Sequence, residues 1–191
     1  MQHVAQRLTE PHVLPDHLAP GLTAILVGTA AGEASARRGH YYAGPGNAFW
    51  RLLADAGLTP EFLGPDRDAE ILLHGLGLTD VAKHRSGNDA VLAAPDFDVE
   101  ALVGKVERHN PAWVAFTSKG AAQVVSRALG HGRLVALGRQ AWTIGAANVF
   151  VLPSPSGSNR NPAVLEGRPN RLAWYREFRD ASAEPRHADP R

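Results

Sequence analysis

The sequence predicts an α/β protein, a three-layer α/β/α sandwich built on a mostly parallel sheet. Three observations carry this. Short apolar runs at residues 22–28, 112–117 and 149–153 have the pattern of strands buried on both faces. Helical periodicity at 47–57, at 98–109 and downstream of 117 separates those runs. Each run passes into a polar or glycine-containing loop, as strands do at the carboxyl edge of such a sheet.

In chain order, residues 1–17 contain Pro11 and Pro15 with little periodicity, so a poorly ordered lead-in is expected. A single domain then spans 18–179, and a Pro-, His- and charge-rich tail, 180–191, is expected to be flexible. The first strand, 22–28, ends at Gly28 and opens a loop that runs to Gly46 with no helix starting at once. A loop of that length in a compact domain points to function. In 47–57, Phe49, Leu52, Leu53 and Ala56 share one helical face and Gly57 is the stop. A short helix covers 66–74. In 98–109, Leu102, Val103 and Val106 form the next apolar face. The strand at 112–117 leads into a helix through Ala121, Val124, Val125 and Leu129. An edge strand at 142–145 precedes the strand at 149–153, a second polar loop covers 154–162, and a helix at 170–179 closes the domain.

Composition narrows the function without naming it. The 191 residues are 44% hydrophobic and include no Cys, which excludes disulfides, cysteine metal sites and a thiol nucleophile. The apolar runs fall short of the ~18–20 residues of a membrane span, and no basic-then-apolar leader opens the chain, so a cytoplasmic protein with no membrane partner is expected. Lys and Arg total 20 against 19 Asp and Glu, so any nucleic-acid binding must come from a local patch. The nine His show no ligand spacing, and neither a metal nor a cofactor is predicted. Gly28-Thr-Ala-Ala-Gly32 lacks the G-x-G-x-x-G of dinucleotide sites, and Ser154-Pro-Ser-Gly157 lacks the G-x-S-x-G of a hydrolase nucleophile.

Five separated segments carry a more specific signal: Ala19-Pro-Gly-Leu22, Gly28-Thr-Ala-Ala-Gly32, Tyr42-Ala-Gly-Pro-Gly-Asn-Ala-Phe-Trp50, Gly77-Leu-Thr-Asp80 and Val151-Leu-Pro-Ser-Pro-Ser-Gly-Ser-Asn-Arg160. In that order they resemble the mismatch-specific uracil-DNA glycosylases, the bacterial relatives of thymine-DNA glycosylase, over roughly residues 18–179. The resemblance implies a uracil-DNA glycosylase-like fold. It also implies a monofunctional enzyme in base-excision repair that flips uracil, or another damaged pyrimidine, out of double-stranded DNA and cleaves its N-glycosidic bond with water. A monomer without cofactor is implied.

The same resemblance places Thr29, Ala30, Tyr42 and Ser154 around the base. Tyr42 would stack on it, and the main-chain N–H groups of Thr29 and Tyr42 would meet its carbonyl oxygens, where negative charge grows. The family commonly has Gly-Ile-Asn-Pro-Gly at 28–32, its Asn holding the attacking water; here that position is Ala30, whose methyl group cannot polarise water. Asp80 is the candidate replacement, because a carboxylate accepts a proton from water and stabilises positive charge on the sugar. The structural alternative is an Asp capping a turn at 81–83; Glu33 and Asp89 are weaker candidates. Ser156, Gly157, Ser158, Asn159 and Arg160 fall in the family's intercalation loop, with Ser158 where a larger apolar wedge is usual. Arg37, Arg38, His40, Lys83, His84, Arg85 and Lys119 are expected to form the local basic surface. Two other readings stay open: a non-catalytic DNA-lesion binder, and a nucleotide-acting α/β enzyme using the Arg-rich first loop.

Overall fold

The computed structural model describes residues 11–87, 91–157 and 165–184. Five strands form one sheet: β1 (Ala24–Ala31), β2 (Leu76–Ser86), β3 (Trp113–Phe116), β4 (Gly138–Ile144) and β5 (Ala147–Val151), in the spatial order β2-β1-β3-β5-β4. β1 pairs in parallel with β2 and β3, β3 pairs in parallel with β5, and only the edge strand β4 runs antiparallel. Helices flank the sheet: α1 (Glu33–Arg38), α2 (Phe49–Ala56), α3 (Val99–His109), α4 (Lys119–Ala128) and α5 (Arg171–Ala183), with a 3₁₀ segment at Pro65–His74.

The central strands are apolar because both of their faces are covered. Ala24, Ile25, Leu26 and Val27 of β1 and Val114, Ala115 and Phe116 of β3 are fully buried. α5 covers one face through Phe178, which meets Trp113 edge-on and packs at a tilt on Phe150. Helix ends follow local chemistry. The side chains of Asp98, Ser118 and Asn170 accept the N–H groups of Ala101, Ala121 and Ala173, and Gly57 ends α2 in the left-handed conformation.

Four expectations are corrected. Residues 33–38 form α1 rather than continuous loop, and 76–86 form β2, where no strand is legible from apolar periodicity. The segment 11–17 is no loose lead-in: Leu14 is buried in the core, His17 bridges Leu78 in antiparallel fashion, and the Val13 N–H donates to the Lys83 carbonyl at 2.7 Å. It lies along the outer edge of β2. At the other end, α5 runs to Ala183, past the expected boundary at 179.

Candidate active site

β1, β3 and β5 are parallel, so the loops that follow them open on one edge of the sheet. A cleft of about 1260 Å³ lies there, with Gly28, Thr29, Tyr42, Asp80, Thr117 and Ser154 among its walls. The first and second loops, distant in sequence yet adjacent in space, are joined directly: the Ala48 N–H donates to the Pro155 carbonyl at 2.9 Å. Gly157 lies so close to the Gly46 carbonyl that a Cβ would come within 3.0 Å of it, and Arg171 donates to the Ser156 carbonyl at 3.0 Å.

Asp80 sits in β2 directly opposite Gly28 of β1. Its Oδ1 occupies the space above Gly28 where a side chain would otherwise stand, and the Tyr42 hydroxyl lies 3.2 Å from the same point. The residue is 5% exposed, and its carboxylate accepts no hydrogen bond from the described residues. Burial pushes the carboxyl up to about 6, opposed by the charge of Lys83 and reinforced by that of Asp16. Near neutral pH such a group is ionised yet basic enough to take a proton. The turn-capping alternative is excluded, since residue 80 lies inside a strand.

Tyr42 is held in the left-handed region, φ 54°, which is costly for a residue with a Cβ. Contacts on both sides enforce it. The Tyr41 N–H donates to Asp68 Oδ2 at 2.9 Å, the Ala43 N–H to Ser35 Oγ at 3.0 Å, and Trp50 Nε1 to the Tyr41 carbonyl at 3.0 Å. The Tyr42 ring stacks on Phe49, centroids 3.7 Å apart, so one of its faces is already covered. Thr117 Oγ1 donates to the Val27 carbonyl at 3.3 Å, so its contact with the Tyr42 hydroxyl at 3.0 Å is one in which the tyrosine donates. Burial pushes the Tyr42 hydroxyl well up, with Asp80 adding to the effect, and it remains a neutral donor.

Ala30 and Ser154 also line the cleft, with Ser156 and Gly157 at its rim. Ser154 Oγ accepts the Ser156 N–H at 3.3 Å. Ser158, Asn159, Arg160 and Asp89 lie outside the described residues. Glu33 borders the cleft, but its side chain is exposed and pairs with Arg37. The expected basic surface is mostly spoken for: Arg38 pairs with Asp66, Arg85 with Asp96 and Lys119 with Glu166. Lys83 is not on the surface; it is 4% exposed, 2.9 Å from Asp16 and 2.8 Å from the Tyr41 hydroxyl. Tyr41 lies in the first loop and Ser118 in the loop after the strand at 112–117, both of which the topology makes candidates for the cleft, whereas Thr117 is a wall residue that sequence reasoning missed. The β3–α4 junction was the available signal for Thr117 as well. Among the described residues no group of three or more His, Asp or Glu is placed to hold a metal ion, and no helix is long and apolar enough to cross a membrane.

Fold and cleft together define a mostly parallel-sheet α/β protein with an open cleft at the carboxyl ends of the strands, beside a buried carboxylate. The chain belongs to the uracil DNA glycosylase superfamily, whose family model matches residues 15–179. It is similar to the solution NMR structure of a candidate uracil DNA glycosylase from Methanosarcina acetivorans, with 25% identity over 87% of this chain and 95% of that one and a TM-score of 0.57.

Proposed function

We propose that the protein is a monofunctional DNA glycosylase that excises uracil, or another damaged pyrimidine, from double-stranded DNA, and that Asp80 is its general base. The observation that carries this reading is the Asp80 carboxylate, buried in the wall of the cleft over Gly28 with no hydrogen-bond partner among the described residues, in a chain of this family.

The chemistry needs a base taken out of the helical stack, an anion stabilised on it and a water aimed at the sugar carbon. A flipped pyrimidine entering the cleft meets the Tyr42 ring, backed by Phe49, and the wall residues Thr29 and Ser154. As the glycosidic C–N bond breaks, its electron pair leaves with the base, and main-chain N–H donors at Thr29 and Tyr42 offset the growing charge. Water forms the new C–O bond at the sugar carbon and passes a proton to Asp80, which the methyl group of Ala30 cannot accept. The neighbouring negative charge of Asp80 also favours an oxocarbenium-like sugar. Residues 156–160 then enter the groove beside the vacated space, and the exposed arginines Arg37, Arg38 and Arg85 exchange their carboxylate partners for phosphates at little cost, because exposed ion pairs contribute about 0–1 kcal/mol.

The test is strand cleavage by alkali after incubation with duplexes carrying one U·G or U·A pair, using the native chain, Asp80→Ala and Asp80→Asn. Cleavage by the native chain that falls ~10²-fold or more in both variants supports enzyme and base together. Cleavage indifferent to Asp80 overturns the mechanism. Tight binding of the damaged duplex with no cleavage makes the protein a lesion binder.

A further inference from the structure

The wall of the cleft carries a hydrogen-bond relay that the reaction scheme does not use. The Thr117 Oγ1 hydrogen goes to the Val27 carbonyl at 3.3 Å, which leaves the threonine oxygen to accept the Tyr42 hydroxyl at 3.0 Å. Thr117 is 2% exposed, and its main-chain N–H donates to the same Val27 carbonyl at 2.9 Å, so the relay ends on a fixed main-chain oxygen. With its single hydrogen committed to Thr117, the Tyr42 oxygen faces its other neighbours as an acceptor.

One of those neighbours is an acceptor too. The Tyr42 hydroxyl and Asp80 Oδ1 both border the space over the Gly28 α-carbon, the hydroxyl 3.2 Å from the point that a Cβ would occupy, and both residues line the cleft. No hydrogen bond joins the two oxygens to each other. Two acceptors side by side suit a molecule that brings two hydrogens, and water is the smallest that does. A water donating to one acceptor alone still swings about that bond. One that donates to both has its plane fixed and turns its lone pairs outward, into the cleft.

We propose that Tyr42 is a second catalytic residue, whose hydroxyl oxygen holds the attacking water jointly with Asp80, and that Thr117 is a positioning residue that keeps this oxygen an acceptor. With Asp80 read as the general base, on which this rests, the step balances. The water oxygen forms the bond to the sugar carbon, and the electron pair of the broken C–N bond leaves with the base. One water hydrogen passes as a proton to Asp80; the other, held by Tyr42, stays on the new sugar hydroxyl. The tyrosine keeps its own proton throughout. Stacking is a separate duty of the same residue, performed by the ring against Phe49, and Tyr42→Phe preserves it.

The experiment is single-turnover uracil excision against enzyme concentration, which gives a limiting rate and a half-saturating concentration, on the native full chain, Tyr42→Phe, Thr117→Val, the two combined, and Thr117→Ser. With Val at 117 the Tyr42 hydrogen turns toward Asp80 or the water, and the oxygen no longer receives. Tyr42→Phe and Thr117→Val should each lower the limiting rate about tenfold, the scale of one hydrogen bond to the nucleophile, with half-saturation unchanged. The combined variant should be no slower than the slower single one, because both changes break the same relay. Thr117→Ser should keep the native rate. A merely structural role predicts losses that multiply or that fall on half-saturation. Should Thr117→Val fail to fold, Tyr42→Phe and Thr117→Ser decide the matter. Crystal structures of the native chain and Tyr42→Phe supply a second readout: a water within hydrogen-bond distance of both Asp80 Oδ1 and the Tyr42 hydroxyl, displaced in the variant. A native limiting rate in Tyr42→Phe, losses that multiply, or no shared water overturns the proposal. A shared water in a chain that excises no uracil upholds the paired acceptors and refutes the glycosylase reading alone.

Discussion

The Asp80 carboxylate rests over the bare α-carbon of Gly28, its Oδ1 filling the space that a side chain at position 28 would need. Glycine is required there by the neighbour, since its own backbone is not in the left-handed region. Gly28→Ala is expected to displace Asp80 while leaving the sheet intact. Its far-UV circular dichroism should match the native chain, and uracil excision under single-turnover conditions should fall ~10²-fold or more, about as far as in Asp80→Ala.

With the Asp80 carboxyl held near 6, excision should rise with pH as the base ionises, pass its midpoint near 6, and level off above about 7. Single-turnover rates measured between pH 4.5 and 8 check this. A limb near the ordinary carboxylate value of 3.8 would mean that Asp80 is not the titrating group.

The same burial sets a stability cost. Asp80 has a higher proton affinity folded than unfolded, so the native state loses stability as pH rises from about 4 to about 6. Above that the full penalty, on the order of 3 kcal/mol for a change from 3.8 to about 6, is in force. Asp80→Asn should therefore melt higher than the native chain at pH 7 and about equally at pH 4. Thermal unfolding at the two pH values is the measurement.

Asp16 behaves in the reverse sense. Burial pushes its carboxyl up, but Lys83 and Lys105 outweigh it and bring it down to about 2. The folded state then binds fewer protons than the unfolded one, and this contribution, up to about 2 kcal/mol, is present above about pH 4 and lost as pH falls towards 2. Asp16→Asn should be destabilised at pH 7 by urea denaturation, with the gap narrowing below pH 4.

Tyr42 combines a stacking face with a hydrogen bond to Thr117. Tyr42→Phe keeps the ring on Phe49 and should cost about 1 kcal/mol of stability. Tyr42→Ala should in addition weaken capture of the flipped base by ~1–3 kcal/mol. Binding of an abasic-site duplex in the presence of free uracil separates the two.

Much of the fold is legible because parallel strands buried on both faces are continuous in their apolar residues, as in β1 and β3. β2 breaks that rule: Thr79, Asp80 and Lys83 are all buried within it, so the polar residues that make the site also hide the strand. α1 is obscured by the Gly- and Ala-rich composition around it, and its six residues leave too short a period to detect. The cleft's loops are visible as segments of the family pattern, but the burial of Lys83 is not. Its partner Asp16 stands 67 positions earlier, in a stretch with no periodicity, and a lysine without a visible partner reads as surface.

The leading segment also carries a lesson about synthesis on the ribosome. Asp16 is made early, yet all the groups that satisfy it, Thr79, Lys83 and Lys105, are made later. A nascent chain that has not yet reached Lys105 has no way to complete the set. The segment at 11–17 thus finds its partners only after the later elements exist, and only a chain grown past α3 can complete the ion pairs around Asp16.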